Sequence, residues 1–256
     1  MNLMASSPES KDRVEGRNPV LEALRGPRDV GRVYIAEGAM HSGIVEEIVD
    51  LAGRDGVPVI RLPRDELSRM AVTSSPQGVL ASVSPYRFAT LDQLTGGFKE
   101  GGTPLVLILD GVEDPRNFGS LLRVADAVGA NGVIVARRRS SPVTAVVAKA
   151  SAGAVEHVTV AKVASISGTL LMMKKEGLWV VGADAEGDEP YYQLDFTVPL
   201  AVVLGGEGKG LRRLVKERCD FLARLPMAGA ISSLNVSTAA AVLLYEILRQ
   251  REVDRR

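Results

Sequence analysis

The sequence predicts an α/β protein in which a small α/β unit precedes a larger unit, built on a mainly parallel sheet with helices on both faces. Apolar runs alternate with segments of helical periodicity along the chain, which is the order that a parallel sheet requires. The run from Leu105 to Leu109 is apolar throughout, as expected of a strand covered on both faces. Four glycines within residues 86–103 indicate a linker between the two units.

The chain of 256 residues divides into four predicted parts. Residues 1–12 lack a basic start and an apolar core, so they are predicted to form a flexible tail and not a signal peptide. Residues 13–85 form the first unit, and residues 86–103 form the linker with one short helix near 91–94. Residues 104–256 form the second unit.

The composition is typical of a globular protein and argues against several classes. Hydrophobic residues make up 46% of the chain, and no apolar run approaches the ~18 residues of a membrane span. The single cysteine, Cys219, excludes an intrachain disulfide framework and fits the reducing cytoplasm, where the protein is expected to work. His41 and His157 lie far apart along the chain, so no histidine-based metal site is expected.

The first unit is predicted to contain three strands and three helices. Pro19 suits a first helical position with Asn18 as the cap, and Ser42 caps a second helix that runs to about residue 54. A short helix follows at residues 65–70. The strands are predicted at residues 33–36, 57–62 and 77–83.

The second unit is predicted to contain six strands joined by helices. A helix that starts at Asp114 and Pro115 ends at Gly129, and further helices are predicted around residues 143–150 and at 165–175. Another helix separates the last two strands, and a long one follows them. The strands are predicted at residues 105–109, 132–136, 158–160, 178–182, 200–204 and 221–225.

The first stretch that can carry chemistry follows the first strand of the second unit. The carboxylate of Asp114 can accept free backbone N–H groups at the start of the helix, next to Pro115. Arg123 lies six residues after Asn117, about 9 Å along a helix axis, and its long side chain leans toward the strand ends. A capping turn with a surface arginine explains Asp114 and Pro115 well, and Asn117 less well.

The second stretch is the glycine-rich turn from Gly205 to Gly210, directly after an apolar run. Its spacing does not fit a phosphate-binding P-loop. It is also misplaced for a dinucleotide fingerprint, which belongs at the first strand of a βαβ unit. Glycines let the backbone approach a ligand closely, and Glu207 in this turn can act as a base or orient another group.

The third stretch precedes the last helix, which Ser232 or Ser233 can cap. Asn235, in the first turn of a buried helix, needs a polar partner. The buried stripe of this helix is predicted to comprise Val236, Ala240, Leu243 and Ile247. Ligands bind beyond the carboxyl ends of strands in an open α/β sheet, so the three stretches are expected to converge on one pocket.

Together, these stretches resemble the three signature motifs of the SpoU (TrmH-type) family of RNA ribose 2′-O-methyltransferases. The matching residues are Asp114-Pro115-x-Asn117-x-Gly119 with Arg123, Leu204-Gly205-x-Glu207-Gly208-x-Gly210, and Pro226-Met227 with Ser233-Leu234-Asn235-Val236-Ser237. Each motif is modestly specific, but the ordered set is a strong signal. The run 227–235 is most similar to the bacterial branch that methylates a guanosine in 23S rRNA.

The first unit resembles the RNA-binding domain of the same family, which is akin to ribosomal protein L30e. The resemblance rests on Gly16-Arg17-Asn18-Pro19-Val20. The chain departs from the family at Ser75-Pro76-Gln77-Gly78, where many relatives have Thr-His-Gln-Gly.

The resemblance implies S-adenosyl-L-methionine as the methyl donor, RNA as the substrate, a homodimer, and a SPOUT-type catalytic domain with a trefoil knot. The positions that hold the cofactor in the family correspond here to Leu204, Gly205, Leu225, Met227 and Leu234. This agrees with the apolar slot and the few backbone groups that adenine needs.

The catalytic residues implied by the resemblance are Arg123, Asn117, Glu207, Ser233 and Asn235. The sulfonium methyl is already activated, so the enzyme must align a ribose hydroxyl and remove its proton. The family implies Arg123 as the proton acceptor, assisted by a substrate phosphate and held by Asn117. Because arginine stays protonated, a charged Arg123 that grips phosphate is equally consistent with the sequence.

Three other readings stay open at this point. A non-catalytic RNA-binding protein with the same fold would have no use for all five polar residues. A nucleotide-dependent oxidoreductase conflicts with the position of the glycine turn. A tRNA substrate, or another rRNA site, is not distinguished by the sequence.

The charged residues of the chain balance to a net charge of zero, but the basic residues are grouped. Local basic patches can attract a phosphate backbone even on a neutral protein. The triplet Arg137, Arg138 and Arg139 is therefore interpreted either as a solvated loop or as a contact to RNA phosphate.

Overall fold

The structure is a computed structural model that describes residues 12–39, 42–100 and 102–254. These residues form two compact units. The first comprises residues 12–87 with Val143–His157, and the second comprises Phe88–Pro142 with residues 158–254. Residues 1–11 of the predicted tail, and His41, lie outside the described residues.

A mixed sheet of four strands forms the first unit, in the order β1-β4-β2-β3. Strand β4 is antiparallel to β1 and to β2, whereas β3 is parallel to β2. The strands are β1 (Arg13–Glu15), β2 (Val30–Ala36), β3 (Val59–Leu62) and β4 (Val79–Val83), and the helices are α1 (Arg17–Arg25), α2 (Gly43–Arg54) and α3 (Arg64–Met70).

Two local predictions for the first unit are wrong. The N-cap of α1 is Gly16, at φ 103°, and not Asn18, because the left-handed glycine turns the chain into the helix earlier than predicted. Strand β4 begins at Val79 and not at residue 77, because Gln77 and Gly78 have positive φ angles of 55° and 73°.

In the second unit, every pairing of named strands is parallel, and the strand order is β7-β6-β5-β10-β8-β11-β9. The predicted fold class is therefore confirmed. The strands are β5 (Leu105–Asp110), β6 (Gly132–Ala136), β7 (Val160–Val163), β8 (Trp179–Ala183), β9 (Glu189–Pro190), β10 (Leu200–Gly205) and β11 (Phe221–Arg224). The helices of the remaining chain are α4 (Leu91–Gly96), α5 (Pro115–Ala127), α6 (Ala145–Ala150), α7 (Ile166–Lys175), α8 (Arg213–Lys216) and α9 (Val236–Asp254).

Helices cover both faces of this sheet. Val106 and Ile108 of β5 lie in one buried cluster with Leu170 of α7. Alternate side chains of a strand point to opposite faces, and on the other face α5 packs against α9, which also contacts β10. Helix α9 buries the predicted positions Ala240, Leu243 and Ile247, whereas Val236 is only partly buried.

Helix α6 belongs to the first unit, although its sequence lies between strands of the second. It packs against β1, and Lys149 Nζ donates a hydrogen bond to Thr73 Oγ1 at 3.1 Å. Within the described parts of the chain, no helix is both long and apolar enough to cross a membrane.

Candidate active site

A cavity of about 650 Å³ lies at the carboxyl ends of β8, β10 and β11. Its size is within the range of about 300–1,000 Å³ that small-molecule sites have. Its walls come from these strand ends, the glycine turn after β10 and the loop before α9. Eight of the ten predicted site residues line it: Leu204, Gly205, Glu207, Leu225, Met227, Ser233, Leu234 and Asn235.

Close backbone packing explains the glycines at the start of the turn. A Cβ atom on Gly205 would lie 2.2 Å from the carbonyl carbon of Gly210, and one on Gly206 would lie 2.2 Å from the carbonyl oxygen of Gly111. The turn closes on itself through a hydrogen bond from Gly210 N to Gly206 O at 3.1 Å. Only glycine fits these two positions, and Glu207 follows them as an exposed residue at the cavity.

An ion pair that the sequence did not reveal fixes the far end of this turn. The buried carboxylate of Asp110, at the end of β5, accepts hydrogen bonds from Arg212 N at 3.1 Å and from Arg212 Nε at 2.7 Å. Arg212 follows Gly210 by two residues, so the pair ties the turn to the neighbouring strand. Its only sequence signal is a carboxylate at the end of an apolar strand.

Asn235 joins the first motif to the third. Its Nδ2 donates to Asn117 Oδ1 at 3.0 Å, and its Oδ1 accepts from Ser237 N at 2.9 Å. Asn117 is held in turn because Asp114 Oδ1 accepts its backbone N–H at 2.9 Å, as predicted for the cap of α5. The partner that Asn235 was expected to need is therefore Asn117.

The cap of the last helix is Asn235, so the prediction of Ser232 or Ser233 is wrong. Helix α9 begins at Val236, later than the serines require, and the residue directly before it supplies the capping oxygen. Ser232 and Ser233 are exposed residues in the cavity wall.

The structure does not bring Arg123 to the cavity wall. Its side chain lies exposed on α5 and makes no hydrogen bond or ion pair within the described part of the chain. Asn117 lies on the same helix and contacts the cavity through Asn235. Arg123 is thus a cation without a partner in the described residues, on the helix whose first turn carries Asn117.

Charged residues that the sequence reasoning missed also line the cavity. Lys216 Nζ lies 2.8 Å from Asp184 Oδ2 and 3.5 Å from Glu186 Oε2. The hydrogen bond with Asp184 raises the pKa of Lys216 above its ordinary value, so the ammonium stays charged. The signal was present, since Asp184 directly follows strand β8.

The cavity fits the cofactor that the resemblance implies. Apolar side chains form part of its wall, among them Met227 and Leu234, which are 37% and 41% exposed and are available to cover an aromatic base. Side chains of both signs, including Asp184 and Lys216, suit the ammonium and carboxylate of a methionine group.

Comparison with known proteins shows which family the chain belongs to. Residues 104–245 match the model of the SpoU rRNA Methylase family, which covers more than half of the chain. The chain belongs to the SpoU rRNA Methylase family. Residues 13–89 match a second family model, described as RNA 2'-O ribose methyltransferase substrate binding. The family resemblance predicted from the motifs is confirmed, and it excludes the oxidoreductase alternative.

Individual relatives cover almost the whole chain. The protein is 46% identical over 244 residues to the putative TrmH family tRNA/rRNA methyltransferase YacO of Bacillus subtilis, covering 95% of this chain and 97% of the relative. The SpoU methyltransferase AviRb from Streptomyces viridochromogenes, in complex with the cofactor AdoMet, superposes with a TM-score of 0.77 at 27% identity, covering 94% and 90% of the two chains. An RNA 2'-O ribose methyltransferase superposes with a TM-score of 0.77 at 28% identity, covering 94% and 88%.

Proposed function

We propose that this methyltransferase acts on a ribose 2′-hydroxyl of RNA and that its target is a guanosine in 23S rRNA. The observation that supports the methyl-transfer site most is that the second and third motifs line one cavity, with Glu207 in its wall, and that Asn117 of the first motif is hydrogen-bonded to Asn235 there. The methyl donor is S-adenosyl-L-methionine, which fits the cavity and which a structural relative of the same family binds.

The apolar part of the cavity is proposed to hold the adenosine. Leu204, Leu225, Met227 and Leu234 would enclose the base, and Gly205 would let the backbone approach it. When bound, the cofactor supplies an activated sulfonium methyl group. Since no further activation of the methyl is needed, the protein contributes mainly alignment, which is worth up to about 7–11 kcal/mol in favourable cases.

The polar part of the site is proposed to position the ribose hydroxyl. Asn117 and Asn235 hold each other in fixed orientations, and Ser233 and Glu207 lie exposed in the cavity wall, free to contact a sugar. Arg123, without a partner in the described residues, is proposed to meet the phosphate beside that sugar or to take its proton. Together, these residues would orient the ribose 2′-hydroxyl, which accepts the methyl group and loses its proton.

The first unit is proposed to bind the RNA substrate as an L30e-like domain. The match of residues 13–89 to a substrate-binding family model supports this role. A tRNA substrate is the second candidate, because the Bacillus subtilis relative is described as a tRNA/rRNA methyltransferase.

A methyl-transfer assay on RNA from a strain that lacks the gene separates these substrates. The purified protein is incubated with labelled S-adenosyl-L-methionine and with rRNA or tRNA, and the product is mapped by its resistance to alkaline cleavage after a 2′-O-methylated nucleotide. We expect label at one guanosine of 23S rRNA. Label in tRNA alone would replace the 23S assignment, and label on a base instead of a ribose would refute the 2′-O assignment.

We also propose that the protein forms a homodimer. Helix α9 buries one face but leaves Val242 and Tyr245 exposed at 37% and 52%, and such apolar exposure suits contact with a second copy. A monomer mass in sedimentation equilibrium would exclude it. The cytoplasmic location and the trefoil knot stay predictions from the single cysteine and from the family resemblance.

Substituting Asn235 is expected to separate its two contacts. Serine at this position still caps α9 but is too short to reach Asn117, whereas alanine loses both functions. We expect Asn235→Ala to lower the free energy of unfolding by about 1 kcal/mol. Asn235→Ser should leave this free energy almost unchanged, and both variants should slow methyl transfer. Urea unfolding and the labelled-methyl assay measure the two effects, and a fully active Asn235→Ser would show that the Asn117 contact is dispensable.

A further inference from the structure

A second cavity, of about 740 Å³, lies at the carboxyl ends of β6 and β7. It shares no lining residue with the first cavity, at the ends of β8, β10 and β11, which is called the cofactor cavity below. It belongs entirely to the second unit. Its charged lining residues are all arginines, namely Arg137, Arg138, Arg139, Arg212 and Arg213. The cavity is therefore strongly cationic, although the whole chain has a net charge of zero.

Most of this positive charge has no counter-charge. The charge of Arg212 is balanced by Asp110. Arg213 Nε lies 3.5 Å from Glu217 Oε1, but a solvent-exposed pair of this kind contributes little free energy. The other three guanidinium groups are exposed and make no hydrogen bond or ion pair within the described residues. Three adjacent positive charges repel one another, and a bound anion would offset this repulsion.

The backbone of this loop is anchored. Arg137 N donates to Val163 O at 2.8 Å, and Ser140 Oγ donates to Ala136 O at 2.6 Å. Arg139 has φ 60°, in the left-handed region, which a residue with a side chain adopts only at a cost. The loop thus presents the three arginines from a defined backbone, with Arg139 in a conformation that local preference does not favour.

We propose that this arginine cavity binds backbone phosphates of the RNA substrate, a few nucleotides away from the ribose that is methylated. Guanidinium groups bind phosphate oxygens in pairs of parallel hydrogen bonds, and phosphate contacts set the position of a nucleic acid without reading its sequence. The inference rests on the proposed function, because the ligand is the same RNA.

The strand order supports this path for the RNA. All strands of the sheet are parallel, so the ends of β6 and β7 lie on the same edge as the ends of β10, β8 and β11. Neighbouring strands are about 4.8 Å apart, so β6 and β8, three steps apart, are separated by about 14 Å. An RNA strand along this edge would pass from the cofactor cavity to the arginine cavity. RNA phosphates bound in the arginine cavity would keep the target nucleotide positioned at the cofactor cavity.

Salt-dependent RNA binding tests the proposal. The test variant carries Arg137→Gln, Arg138→Gln and Arg139→Asn, because asparagine tolerates the left-handed backbone at position 139. The control variant removes three positive charges of the second unit that line neither cavity, with Lys174→Gln, Lys175→Gln and Arg249→Gln. Anisotropy of a labelled single-stranded oligoribonucleotide gives the slope of log K against log salt, and circular dichroism and calorimetry with S-adenosyl-L-methionine confirm that each variant is folded and binds cofactor.

We expect the test variant to reduce the salt slope by about 2, since each phosphate contact to a single strand contributes about 0.7. The control variant should keep the wild-type slope, and an equal reduction in both variants would overturn the inference. An unchanged slope in a folded, cofactor-binding test variant overturns the inference, even if the wild type methylates RNA. Binding of inorganic phosphate that is lost in the test variant, with an unchanged RNA slope, would overturn it in favour of a free-anion site. A slope that is reduced in the test variant and kept in the control upholds it, even if no methyl transfer is found and the proposed function fails.

Discussion

Arg123→Ala is expected to abolish methyl transfer while leaving S-adenosyl-L-methionine binding intact. The side chain is exposed, makes no hydrogen bond or ion pair with the described residues and does not line the cofactor cavity, so its loss should not disturb that cavity. Surface substitutions of this kind usually change stability by less than about 0.5 kcal/mol. Loss of a proton acceptor typically costs about 10²–10⁴-fold in rate. Labelled methyl transfer measures the rate, and calorimetry measures cofactor affinity.

Arg123→Lys distinguishes the two roles that remain for this residue. Lysine keeps the charge but lacks the planar fork of arginine. If Arg123 grips phosphate, the alanine variant should lose mainly in KM and lysine should restore part of it. If Arg123 takes the proton, kcat should fall in both variants with KM almost unchanged.

Arg116→Ala is the matched control for these variants, because Arg116 is also exposed on α5. An equal loss in that control would mean that the charge of the helix, and not Arg123 itself, is what matters. A near-normal rate for Arg123→Ala would remove this residue from the site.

Strands that are buried on both faces were readable from the sequence, since their apolar runs are unbroken. Leu105 to Leu109 is such a run, and it became β5 with one further residue, Asp110. Strands β1 and β9 were missed because they have three and two residues, too few for any periodic pattern. These short strands are stabilised by pairing with a neighbouring strand, as Val14 of β1 pairs with Ala81 of β4.

Helix caps were predicted less well, because a cap depends on how the chain enters the helix. At α1 the entry is set by Gly16 at φ 103°, so the favourable cap residue Asn18 is already inside the helix. At α9 two serines looked suitable, but the helix begins at Val236, and Asn235 supplies the cap. Composition alone does not fix the residue at which a helix begins.

Contacts between residues distant along the chain were the least predictable part of the site. The second and third motifs led to a common cavity because parallel strands all end at one edge, and the first motif reaches it only through the contact of Asn117 with Asn235. The ion pair of Asp110 with Arg212 spans 102 residues, and the sequence around Asp110 does not identify its partner. The position of α6 has the same origin, since Lys149 contacts Thr73 across 76 residues.

Gly205→Ala is expected to reduce S-adenosyl-L-methionine affinity by about 10²-fold. The added Cβ would lie 2.2, 2.4 and 2.5 Å from three backbone atoms of Gly210 and Leu211. Backbone atoms cannot be moved aside by a change of rotamer, so the turn or the end of β10 must shift by about 1 Å to reach an ordinary contact distance. Misplacement by about 1 Å can cost about 10²-fold in catalytic rate, and we expect a loss of the same order in cofactor affinity.

Gly229→Ala is the matched control for this prediction. Gly229 lies in the loop between β11 and α9, and a Cβ there would meet no atom within 4 Å. Calorimetry should therefore give a wild-type affinity for Gly229→Ala and a much weaker one for Gly205→Ala. Urea unfolding of both variants separates a local effect from a loss of the fold. If folded Gly205→Ala binds the cofactor as tightly as the wild type, the turn after β10 is not part of the cofactor site. The assignment of Leu204 and Gly205 would then be wrong, whereas the contact of Asn117 with Asn235 would still stand.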